Sequence, residues 1–124
     1  MNKEDYYLDS DKRSEGVKLP LVDREGDLSG DFIMVRWAWS DDVRNVMDNL
    51  KRDMRKKYAS ETDIDADDYI LEGIIAQVAG WSFDDKCAEK DVREFLIERP
   101  DIAERIDTVS ANTKLFFMDS GKSS

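Results

Sequence analysis

Apolar positions are densest between Tyr69 and Phe83, in the run YILEGIIAQVAGWSF. Ile70, Leu71, Ile74, Ile75, Val78 and Ala79 fall at helical spacings on two adjoining stripes, with Glu72 and Gln77 left over. An apolar arc that wide predicts a central core helix with partners on more than one side. Gly80 supplies its stop, and Trp81 and Phe83 then place two large rings where the chain turns.

Upstream the period changes from helical to alternating. Val17, Leu19 and Leu21 alternate with Lys18 and Pro20, which predicts a short strand from Gly16 to Val22. Pro20 cannot donate to a ladder, so this strand belongs at a sheet edge. Two breakers follow, Asp23 to Asp27 and Ser29-Gly30-Asp31. Phe32 to Trp39, FIMVRWAW, then reads as a second strand. Phe32, Met34, Arg36 and Ala38 lie on one side of it, and Ile33, Val35, Trp37 and Trp39 on the other. The hairpin needs a helix to cover it, and the Trp37/Trp39 pair reads as part of the core.

Ser40 is placed as an N-cap, with Asp41 and Asp42 in the first turn. Val43, Val46, Met47, Leu50, Met54 and Tyr58 keep one helical face to about Tyr58. Lys51, Arg52, Arg55, Lys56 and Lys57 crowd its far end, where cations complement the helix dipole. Downstream, Val92, Phe95 and Leu96 mark a short helix from about Ala88 to Glu98, with Ala88 a weak cap. Pro100 opens the last helix, whose face runs through Ile102, Ile106, Val109 and Thr113 into Leu115, Phe116 and Phe117. The expected architecture is mainly α (α+β), a small N-terminal β-hairpin packed against a four-helix, mostly antiparallel helical domain. That domain spans residues 16–118. Residues 1–15 are expected to form a mobile arm, or a motif that docks Tyr6 and Tyr7 on another subunit, and residues 119–124 a disordered tail.

Composition narrows the chemistry. Charged residues make up 39% of the 124 positions and the net charge is −10, which argues against nucleic acid or an anionic membrane as partner. Histidine, the commonest general base and metal ligand, is absent, and Cys87 is the single cysteine, expected to be packed rather than reactive. Asp63, Asp65 and Asp67 mimic the opening of a calcium loop. Asp68 stands where that loop needs glycine and Ile74 where it needs glutamate, so acid at a helix N-terminus explains them better. No catalytic constellation, cofactor or metal is expected. The first residues lack a secretory apolar segment and no run is long enough to span a bilayer, so a cytoplasmic location is expected.

Residues 80 to 117, GWSFDDKCAEKDVREFLIERPDIAERIDTVSANTKLFF, carry a resemblance. The pattern is similar to that of the small tail assembly chaperones of long-tailed, siphovirus-type bacteriophages. Those proteins share a Gly-Trp-Ser-hydrophobic-Asp stretch, a helix beginning just after a Cys, and a Pro-opened helix that passes an Ile-Asp pair and ends in aromatics. Here the matching positions are Gly80, Trp81, Ser82, Phe83, Cys87, Val92, Pro100, Ile102, Ile106, Asp107, Phe116 and Phe117. KLPLVD and MVRWAWSDD upstream resemble the family's first segment, so the likeness covers roughly residues 16 to 118. The departures are Ala88-Glu89 in place of a Thr-Pro cap and the long acidic loop 60–68.

The resemblance implies a transient role in the host bacterial cytoplasm. Such proteins hold the aggregation-prone tape-measure protein soluble, recruit tail-tube protein around it, and do not enter the mature virion. A longer form made by ribosomal frameshifting is also implied, since Gly121-Lys122 is a pair that a GGGAAA-type slippery run encodes; self-association is a further expectation. The client-facing surface is expected to comprise Trp37, Trp39, Trp81, Phe83, Phe116 and Phe117, with Arg52, Arg55 and Lys56 at the basic end of the first long helix. The alternative is a structural minor tail or head–tail connector protein that stays in the particle.

Overall fold

A computed structural model describes residues 2–118, and the expected tail at 119–124 lies outside them. The fold is mixed α+β, with five α-helices and one three-stranded antiparallel sheet among the described residues. Strand β1 (Val17–Val22) turns Leu19 and Leu21 into the core and sends Lys18 and Pro20 outward, as the alternation predicts. It lies at the sheet edge, where proline costs no ladder bond. The turn is built on Asp23, whose Oδ1 accepts from the backbone N–H groups of Glu25 at 2.9 Å and Asp27 at 3.0 Å.

Strand β2 (Leu28–Val35) is displaced toward the N-terminus from the expected 32–39. The Ser29-Gly30-Asp31 breaker lies inside it, with Gly30 at φ +92°. Past Val35 other elements take the backbone. The Arg36 amide donates to the Gln77 carbonyl, and the Ala38 amide donates to the Ser110 carbonyl at 2.9 Å. Trp37 and Trp39 therefore leave the sheet.

The central segment departs most from its expected form. Helix α3 (Ala66–Ala76) starts at Asp65, which caps it by accepting from the Asp68 amide at 3.2 Å, and ends well before Gly80. Val78–Trp81 instead forms β3, antiparallel to β2, with Val78 opposite Val35, Gly80 opposite Met34 and Trp81 opposite Ile33. With β1 on only one side, β2 has a second row of backbone donors and acceptors to satisfy, and this short β-branched and aromatic segment does so. Ser82 extends the pairing. Its amide donates to the Phe32 carbonyl at 3.0 Å, and its Oγ accepts from the Phe32 amide at 2.9 Å. The wide apolar arc is therefore shared between a helix and a strand, and Ile70 is left 61% exposed.

Arg36 ties these pieces together. Its Nη1 donates to the carbonyls of Ala76 at 3.0 Å and Val78 at 2.8 Å, placing a cation on the C-terminus of α3. Its Nε also lies 3.3 Å from Asp42. The core is then Leu19, Leu21, Ile33 and Val35 from the hairpin, Ile74, Ile75 and Val78 from the central segment, and Val92, Leu96, Ile102 and Ile106 from the last two helices. These are α4 (Glu89–Glu98) and α5 (Pro100–Ala111), which pack on each other and on α3; Pro100 is the first residue of α5, as expected.

Helix α2 (Asp41–Ala59) follows its apolar period but sits at the periphery, packing mainly on α3 and fully burying only Val43. Ser40 occupies the N-cap position, yet its buried hydroxyl makes no cap bond. At the other end of the chain order, residues 2–15 form a 3₁₀ turn and helix α1 (Ser10–Glu15), capped by Asp9. Leu8 bridges to Phe117, and the Asp9 amide donates to the Phe116 carbonyl at 3.0 Å.

Candidate interaction surface

The nine residues expected to face a partner fall into four places. Trp37 and Trp39 sit at the corner between β2 and α2, ring centroids 5.6 Å apart. Trp37 is half-buried and donates through Nε1 to Thr113 Oγ1 at 3.1 Å, while Trp39 is 55% exposed. The expectation of a core pair is thus corrected. The backbone bonds that draw residues 36–38 toward α3 and α5 lift these rings off the sheet face.

Trp81 and Phe83 join Phe95 of α4 in a triad in which Trp81 meets both phenylalanines edge-on and the two phenylalanines are tilted. Trp81 lies 5.2 Å from Phe83 and 5.9 Å from Phe95, and the two phenylalanines are 5.4 Å apart. Trp81 Nε1 donates to the Asp85 carbonyl at 2.8 Å, pinning the loop that follows β3. The rings form the floor of an open cleft of about 550 Å³ whose remaining lining is acidic: Asp84 and Asp85 from the loop, Asp91, Glu94 and Glu98 from α4. Sequence reasoning put Phe95 on the helix face and missed the rim. Its signal was present, since positions 91, 94 and 98 repeat at three and four and place three carboxylates on one stripe.

Phe116 is fully buried, 0% exposed, and serves the core rather than a surface; Phe117 is half-buried beside Leu8. The basic end of α2 is open. Arg52, Arg55 and Lys56 are exposed, and no ion pair engages them among the described residues. Tyr58 beyond them is 82% exposed. Inboard, Tyr69 donates its hydroxyl to Asp53, and Lys57 approaches the same carboxylate at 3.5 Å while lying 5.0 Å above the Tyr69 ring. The tyrosine hydrogen bond, reinforced by the Lys57 charge, holds the Asp53 carboxyl below its usual range, and the Tyr69 hydroxyl, with the Asp53 charge behind it, holds Lys57 above its own.

Cys87 is half-buried, and desolvation pushes its thiol pKa up against a smaller opposing pull from Arg36. A thiol so placed is a poor nucleophile at neutral pH. Among the described residues no group of three or more acidic or cysteine side chains is arranged to hold a metal ion. None of the described helices is long and apolar enough to cross a membrane. No family model matches the chain, and neither a curated protein nor a solved structure matches it.

Proposed function

We propose that this chain is a binding protein that covers apolar helical stripes of a larger partner during the assembly of a phage tail, with the tape-measure protein as its client. The observation that carries this reading is the amount of large apolar surface left uncovered in distinct places. Trp39, Met47, Tyr58, Ile70 and Ile97 are all exposed on or next to helices, in addition to the open aromatic cleft. Exposed apolar clusters rimmed by charge are the usual mark of a protein-binding surface. The net charge of −10 supports the same role, because it keeps a complex with a greasy client in solution. The likeness of residues 80 to 117 to the tail assembly chaperones supplies the client's identity.

Co-expression tests it. The tape-measure protein encoded with this chain should stay soluble when the two are produced together and aggregate when it is produced alone. Mass spectrometry of purified virions separates a chaperone, which is missing from the particle, from a minor tail or connector protein, which is present in stoichiometric amount. Unchanged client solubility, or retention in the virion, would overturn the reading.

A further inference from the structure

The cleft beside α4 joins two features that attract the same kind of ligand. Aromatic faces carry negative quadrupole potential, so the floor formed by Trp81, Phe83 and Phe95 and the carboxylate rim both favour a cation. No lysine or arginine lines the cleft. Among the described residues the five rim carboxylates form no ion pair; Lys86 and Lys90, their exposed neighbours in sequence, point no ammonium into the lining, and the two nearby arginines are engaged elsewhere. Arg93 pairs with Glu72 and Asp68, and Arg99 pairs with Asp101. Like charges gathered at the edge of an apolar floor repel one another, and an arriving cation relieves that repulsion. The cleft is open to solvent and of a size for side chains rather than for a whole helix.

We propose that this cleft docks a basic, amphipathic peptide segment of a protein partner. The aliphatic stems of its arginines or lysines lie across the three rings, and their charged heads reach Asp91, Glu94 and Glu98. The site stands on the chemistry of the cleft and goes beyond the chaperone reading, which leaves open what charge the client presents.

The test uses the whole chain and two labelled synthetic peptides about 15 residues long, one with arginine and leucine at helical spacing and one with glutamate for every arginine. By fluorescence anisotropy the arginine peptide should bind and the glutamate peptide should not. The E94Q/E98Q variant, altered only at exposed positions, should weaken binding about tenfold with the melting temperature unchanged. An E25Q/E104Q variant with the same change in net charge, placed away from the cleft, should bind like the parent. Raising salt from about 0.05 to about 0.3 M should weaken binding as well. The conservative Phe95→Leu should lower affinity while leaving the salt dependence in place. Absence of binding, equal binding of both peptides, or equal losses in E94Q/E98Q and E25Q/E104Q would overturn the proposal. So would sedimentation showing that the protein alone is a dimer that E94Q/E98Q dissociates, since a second copy would then fill the cleft.

Discussion

Ser110 shows how one small polar side chain joins two distant segments. It is fully buried on α5, its Oγ donates to the Arg36 carbonyl at 2.7 Å, and its own carbonyl accepts from the Ala38 amide. Ser110→Ala strands the Arg36 carbonyl in the interior, and urea unfolding should show a loss of about 1–3 kcal/mol. Gly16 is similarly constrained. Its φ is +96°, and a Cβ there would meet the Val35 carbonyl oxygen at 2.7 Å, so Gly16→Ala should destabilise by more than about 1 kcal/mol. At Asp101 the hydrogen-bonded Arg99 guanidinium holds the carboxyl down to about 2 from an ordinary 3.8. A carboxyl whose pKa is lower in the folded state stabilises above its unfolded value and loses that contribution as pH falls through the folded value. The melting-temperature difference between the parent and Asp101→Asn should therefore persist at neutral pH, shrink below about pH 4 and vanish only below about pH 2. Both groups are exposed, so the difference should also shrink with added salt.

At the scale of elements, the contact of α2 with α3 turns on Gly73. A Cβ there would lie 3.1 Å from Met47 Sδ, the movable end of a partly exposed side chain. Gly73→Ala should be neutral or stabilising, because the gain in helix propensity of up to about 1 kcal/mol meets only a side chain that can swing aside. Gly73→Leu instead must push α2 off α3, and should cost about 1–3 kcal/mol. If the two variants unfold at the same urea concentration, close helix approach is not what this glycine provides. Amide exchange supplies a second check on the elements. The ladder between β2 and β3 lies over the core, so its amides should exchange far more slowly than those in the exposed last turn of α2.

Over the whole molecule, the uncovered surface is divided by charge. The basic end of α2 and the acidic cleft of α4 belong to two of the three helices that pack on α3. Reversing Arg55 and Lys56 to glutamate removes no described ion pair but puts acid where the helix dipole favours cations, so the fold should stay intact with a loss of no more than about 2 kcal/mol. If that patch holds the client, the solubility of co-expressed tape-measure protein should fall. What was legible beforehand is what local spacing encodes. The extents of β1, α2 and α4, the edge position of Pro20 and the Pro100 helix start all follow from period, caps and the chemistry of proline, which act within a few residues. Helix α5, by contrast, ends at Ala111, short of the continuation through 113–117 that its apolar spacing suggested. Tertiary structure alone decided that Val78–Trp81 would be a strand, that Trp37 and Trp39 would leave the sheet, and that Trp81, Phe83 and Phe95 would meet under an acidic rim. In the first two cases the deciding bond runs to a partner some forty or more positions away, as from Val35 to Val78 or from Ala38 to Ser110, and the third follows once β3 has fixed Trp81 beside α4. A helical period written along the chain cannot register the unpaired edge of a distant strand, and satisfying that edge outweighed the local preference.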